Sequence, residues 1–137
     1  MVAAAQCTDA LYLVEVGATA HEDVLLGRDP DRRVERPRPT ELAPEFLSEL
    51  LVDIDASGST VIVAVDRRPP LLASYDAGAT WSERGSGLPR GRAVALGQNP
   101  DDVLYGARNR LYVSRDGGLF WRALGLELPE IVDVAWG

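Results

Sequence analysis

Two aspartates and a set of arginines are the residues whose types and spacing could do chemistry. "LVDIDAS" (51–57) and "IVDVAWG" (131–137) align residue for residue and put Asp53 and Asp133 at equivalent places. Two carboxylates gathered at one channel could hold a cation or share acid and base work. The plainer reading is that each bonds to adjacent backbone or to water. All 14 basic residues of the chain are arginine. Arg67 and Arg68, Arg90 and Arg92, and Arg108-Asn109-Arg110 fall in turn-rich segments, and Arg36 and Arg38 lie in a proline-rich one. Guanidinium forks take carboxylate or phosphate bidentately, so these residues predict an anion-binding face. Solvated loops, in a chain whose only cation is arginine, are the alternative.

The remaining reactive residues point to less. His21 is the only histidine, and "HED" (21–23) is too little for a metal site. Cys7 is the only cysteine, so no intrachain disulfide forms, and no partner for a thiol nucleophile is evident. Gly85 and Gly87 in "RGSGLPRG" are turn glycines rather than a phosphate loop. No catalytic set and no cofactor or metal is predicted.

The elements that must position these residues come from an internal repeat. "SYDAGATW" (74–81) returns as "SRDGGLFW" (114–121), and the likeness extends outward: Val52 lies over Val94, Val61 over Val103, and Leu72-Ala73-Ser74 over Tyr112-Val113-Ser114. Each unit holds short β-rich runs separated by Gly, Pro, Asn and Asp, read as four strands. In the second copy these fall near 92–97, 102–107, 110–114 and 119–124. Four short strands at a period of about 40 residues predict a β-propeller blade.

The octapeptide resembles the Asp-box of sialidase-like propellers, the BNR repeat. Ser74, Asp76, Gly78, Thr80 and Trp81 match it fully; Ser114, Asp116, Gly118 and Trp121 match it with Phe120 in the threonine place. The resemblance implies a structural hairpin turn between the third and fourth strands of a blade, on the face opposite any binding face. It also raises a glycosidase with an arginine triad, a Tyr–Glu pair and an acid/base aspartate, a set that is not found here. In physical terms, aspartate accepts turn amides, glycine supplies a left-handed backbone angle, and tryptophan fills the space beside the turn.

A third unit is incomplete. "ALYLVEV" (10–16) reads as its second strand, "DVLLG" (23–27) as its third, and "GRDPDRRV" (27–34) as a degraded box. Its first strand is supplied by 131–137. The expected organisation is one all-β domain over 1–137: blade 1 from 8–38 plus 131–137, a linker at 39–49 with at most one helical turn, blade 2 at 50–90 and blade 3 at 91–130. On this reading His21, Glu22 and Asp23 join the arginines on the binding face. Three blades do not readily close a ring. The expectation is therefore a six-bladed propeller made by a homodimer that exchanges its terminal strands, with Trp136 buried against the partner.

Composition bounds the function. A net charge of −7 argues against nucleic acid as a partner. With 46% hydrophobic residues and no long apolar run, a soluble cytoplasmic domain is expected, without membrane contact. Two functions remain open: a non-catalytic binding or assembly scaffold for a protein or a small anionic ligand, and a sialidase-like glycoside-processing enzyme with its site at the channel mouth.

Overall fold

The computed structural model describes all 137 residues. Twelve strands run in chain order: β1 Val2–Cys7, β2 Leu11–Glu15, β3 Val24–Asp29, β4 Leu51–Ser57, β5 Thr60–Val65, β6 Leu71–Ser74, β7 Ser82–Arg84, β8 Ala93–Leu96, β9 Val103–Ala107, β10 Arg110–Ser114, β11 Arg122–Glu127 and β12 Ile131–Trp136. They form three four-stranded antiparallel sheets, ordered β12-β1-β2-β3, β4-β5-β6-β7 and β8-β9-β10-β11. The fold is all-β and propeller-like, and the sheets are called blades 1, 2 and 3.

The blades stack through their apolar faces. Ala3, Ala5 and Val134 of blade 1 pack on Ala95, Leu104, Leu111 and Val113 of blade 3. Ile62, Ala64 and Leu71 of blade 2 pack on Val94, Val103 and Tyr105, also of blade 3. Gly106 is needed at the first contact, because a Cβ there would come within 2.8 Å of Val134. Blade 3 is therefore the middle blade.

Blade 1 differs from the sequence expectation by one strand. The 2–7 segment, outside the blade on the sequence expectation, is its second strand; 11–15 is third and 24–29 fourth. The residues read as a degraded box, 27–34, end β3 and begin the linker. The cause is composition: "VAAAQC" offers three alanines in place of the branched residues that mark a strand. Burial overrides that propensity, since Ala3 and Ala5 are fully buried in the contact with blade 3.

The strand assigned to a partner chain pairs within its own chain. β12 lies antiparallel to β1, with Ala3 opposite Trp136 and Ala5 opposite Val134. Gly137 N donates to Val2 O at 2.8 Å, so the two ends of the chain meet where a β12–β1 hairpin would turn. Trp136 is half-buried at that junction and packs against the blade 1–blade 3 core.

The linker also fills the side that sequence reasoning left open. It makes two 3-10 turns, Thr40–Leu42 and Glu45–Leu47, divided by Pro44, whose ring prevents a continuous helix. Leu47 and Ala43 pack on Ile54, Val61, Val63 and Trp81, so this segment stands against blade 2 where another blade would stand. On blade 1, Val34 N donates to Gln6 Oε1 at 3.0 Å. The chain itself thus supplies the inner strand of blade 1, and its linker covers the free face of blade 2.

Candidate functional site

In an antiparallel blade, alternate connections fall at opposite ends. One face of the molecule thus collects the β1–β2, β5–β6 and β9–β10 turns and the links between blades. The other collects the β4–β5 and β8–β9 turns, the 75–81 and 115–121 turns, the 16–23 loop and the chain ends.

The first face centres on Arg36. Its Nε donates to Val134 O at 2.8 Å on β12, and its Nη1 to Ile54 O at 3.2 Å on β4. Its Nη2 meets Asp53 Oδ2, and also Asp133 Oδ1 at 3.1 Å. One guanidinium is small, so the inner strands of blades 1 and 2 can lie no further apart than its fork spans. Arg38 adds a second clamp, Nε to Asp53 Oδ1 at 2.8 Å and Nη2 to Asp133 Oδ2. Asp53 further accepts the amides of Ile54 at 2.8 Å and of Val94 on β8 at 2.9 Å. The structure thus brings Asp53 and Asp133 together with Arg36 and Arg38, with their oxygens occupied by guanidinium and backbone. A charged group taken from water needs such partners, and two of these side chains are deeply buried, Arg36 at 9% and Asp53 at 4% exposure. Above them, Val34, Glu35, Pro37 and Arg38 line an open depression of about 510 Å³.

Around this centre stand the other arginines. Arg90 faces Asp66 at 3.4 Å, Arg92 faces Glu130 at 3.6 Å, and Arg110 bonds Glu127 at 2.9 Å and Leu124 O at 2.9 Å. Arg68, Arg108 and Asn109 are exposed. Neither Arg68 nor Arg108 has a carboxylate within ion-pair reach, and the buried Nε of Arg67 has no hydrogen-bond partner.

His21, Glu22 and Asp23 lie on the opposite face, because blade 1 is shifted by one strand. His21 and Glu22 are exposed. Asp23 is buried and accepts Gly17 N and Gly125 N, each at 2.9 Å, and the two Nη groups of Arg122 at 2.7 and 3.1 Å. Burial pushes its pKa up, but the Arg122 and amide hydrogen bonds outweigh this and leave the carboxyl below its ordinary value. This clip between blades 1 and 3 was not foreseen, since its halves lie far apart in sequence. Cys7 is buried with its thiol raised to about 11 by burial and by Asp9, so it is protonated and a poor nucleophile at neutral pH.

The two repeated turns share one wiring. Ser74 Oγ donates to Asp76 Oδ1 at 2.7 Å and accepts Gly78 N at 2.8 Å; Ser114 does the same toward Asp116 at 2.7 Å and Gly118 at 2.9 Å. Gly78 and Gly118 take φ of +93° and +96°. Trp81 and Trp121 donate to the carbonyls of those glycines at 3.1 and 2.8 Å. They differ at two bonds: Thr80 Oγ1 donates to Asp76 Oδ2 at 2.6 Å, which Phe120, 79% exposed, cannot do, and Asp116 Oδ1 instead accepts the amide of Leu119 at 3.1 Å.

An acid prediction follows from the sign of these shifts. Hydrogen bonds from Thr80 and Ser74 hold Asp76 at about 2 against an ordinary 3.8. The stability it contributes is complete above the ordinary value and is lost as pH falls from there through about 2. Asp76→Ala should lower Tm at neutral pH by a few degrees, and Asp116→Ala by less, because the bond Asp116 takes from Leu119 N, at 3.1 Å, is longer than the 2.6 Å threonine bond of Asp76. Thermal melts at pH 7 and pH 3 check both; an equal loss in the two variants counts against this ordering.

No protein-family model matches the chain. No curated protein matches it either. Among solved structures it is similar to the crystal structure of the Niastella koreensis GH74 enzyme, with 20% identity and a TM-score of 0.46. That match covers 92% of this chain, which spans 17% of the GH74 chain.

Proposed function

We propose that this chain is a non-catalytic binding and assembly module whose arginine-bearing face takes an anionic ligand. The observation that carries this reading is the division of labour on that face. Asp53 and Asp133, the residues best placed for acid–base work, are bound up with Arg36, Arg38 and backbone amides. Arg68 and Arg108, by contrast, stand exposed and without a carboxylate. A glycoside-processing centre would need two free carboxyls roughly 5–10 Å apart across a cleft. The likeness of 74–81 and 114–121 to the Asp-box supports a sialidase-like lineage in which these turns are structural.

The test is a thermal-shift panel of sulfate, phosphate and a sugar acid at matched ionic strength. A ligand that binds only the folded state raises Tm by mass action. The shift should fall in Arg67→Ala/Arg68→Ala and in Arg108→Ala/Arg110→Ala. A flat response to all three anions overturns the anion reading.

A further inference from the structure

Two hairpins of the chain close through two-residue turns. β4 and β5 join at Gly58-Ser59, with Ser57 opposite Thr60; β9 and β10 join at Arg108-Asn109, with Ala107 opposite Arg110. The first turn residue takes a φ of +60° at Gly58 and +53° at Arg108. A Cβ at Gly58 would meet nothing within 4 Å, so glycine answers there to the backbone angle alone. Arginine at the same angle carries a strain that glycine would remove. Asparagine, which tolerates this region, stands one place later in the turn rather than at it.

The strained turn is held from behind. Arg108 O accepts Ile131 N at 2.6 Å, and Asn109 O accepts Leu128 N at 2.8 Å, so both turn carbonyls are tied to the link from blade 3 to blade 1. The amides of Arg108 and Asn109 donate to nothing within the chain, and both residues are exposed. The backbone acceptors of the turn are thus spent while its donors are free. The neighbouring Arg110 is not free, since its guanidinium is bonded to Leu124 O and Glu127. Strain of this kind persists where the surrounding structure imposes it, and it gathers at sites that contact ligands.

We infer that Arg108 is the anion-capturing residue of the arginine-bearing face, kept at a glycine's backbone angle so that its guanidinium fork and the free amides of its turn meet one oxoanion, a carboxylate or a phosphate. This names a residue and a ligand class for the function proposed above and rests on it. Arg108 lines none of the molecule's cavities, so a free anion is met in the open and its dissociation constant is on the order of 1 mM.

Heteronuclear NMR of the isotope-labelled full chain tests this, with inorganic phosphate in one titration and acetate in another, and chloride holding the ionic strength constant. The amide resonances of Arg108 and Asn109 should move and saturate, and the anion with the lower constant names the class. Arg108→Gly should have opposite effects on stability and binding: a Tm higher by a few degrees without ligand, and binding about tenfold weaker or more. Arg108→Lys keeps the charge and the strain but not the fork, and should bind within about threefold of the glycine variant. An Arg108→Gly protein that binds as tightly as the wild type overturns the inference and leaves the anion reading standing, as do resonances at 108–109 that stay still while the anion panel raises Tm. A lower Tm in Arg108→Gly overturns the inference whatever the anions do.

Discussion

Replacing Arg36 with methionine destabilises the protein by about 3–5 kcal/mol, the cost of leaving a buried carboxylate without its cation. The effect falls toward the lower end because Arg38 remains beside Asp53. In a domain of this size Tm drops by roughly 10–15 °C. Two carbonyls, Val134 O and Ile54 O, also lose their donor, and with it the tie between blade 1 and blade 2. Arg36→Lys recovers little, because an ammonium is a point charge and cannot address two strands and two carboxylates at fixed angles. Urea unfolding of the three proteins checks this. A loss below about 1 kcal/mol for Arg36→Met would mean that the network contributes no more than a surface pair.

The larger effect is expected from removal of β12. Truncation before Ile131 takes away Ile131 and Val134, both fully buried, and strips β1 of its partner. Loss of a single buried isoleucine side chain costs about 2–5 kcal/mol, and marginal domains hold only about 5–15 in all. The truncated chain should therefore lose its native β signal and aggregate through the bared edge of β1. A synthetic peptide of residues 128–137 should restore the fold in trans, read as burial of the peptide's Trp136 by a blue shift in its emission. A truncated chain that remains folded and monomeric without the peptide contradicts the pairing of β12 with β1.

Legibility in the sequence followed the range of the interaction. Blades 2 and 3 could be read because each is built from neighbouring hairpins, and because Ser, Asp, Gly and Trp of each turn satisfy one another within eight residues. Blade 1 could be read only in part. Its first strand was found at the far end of the chain, but alanines gave no strand signal for β1, and all later strands moved by one. The central network was half visible: Asp53 and Asp133 stood out as equivalent carboxylates, whereas Arg36 looked like one more arginine in a proline-rich linker. Nothing local says that a residue at 36 will reach a carbonyl at 134. The Asp23–Arg122 clip was hidden for the same reason, and the displaced strand had put Asp23 on the wrong face.

The meeting of β12 with β1 bears on how the chain matures during synthesis. Of these twelve strands β1 leaves the ribosome first, and its innermost partner, β12, leaves after the other eleven. Blades 2 and 3 can close from local hairpins while translation continues, but blade 1 must wait with an open inner edge and pay a long loop-closure entropy at the end. The nascent chain thus passes through a stage in which a finished pair of blades trails an unfinished one. That stage, more than the mature fold, is where a chaperone would find a free strand edge to hold.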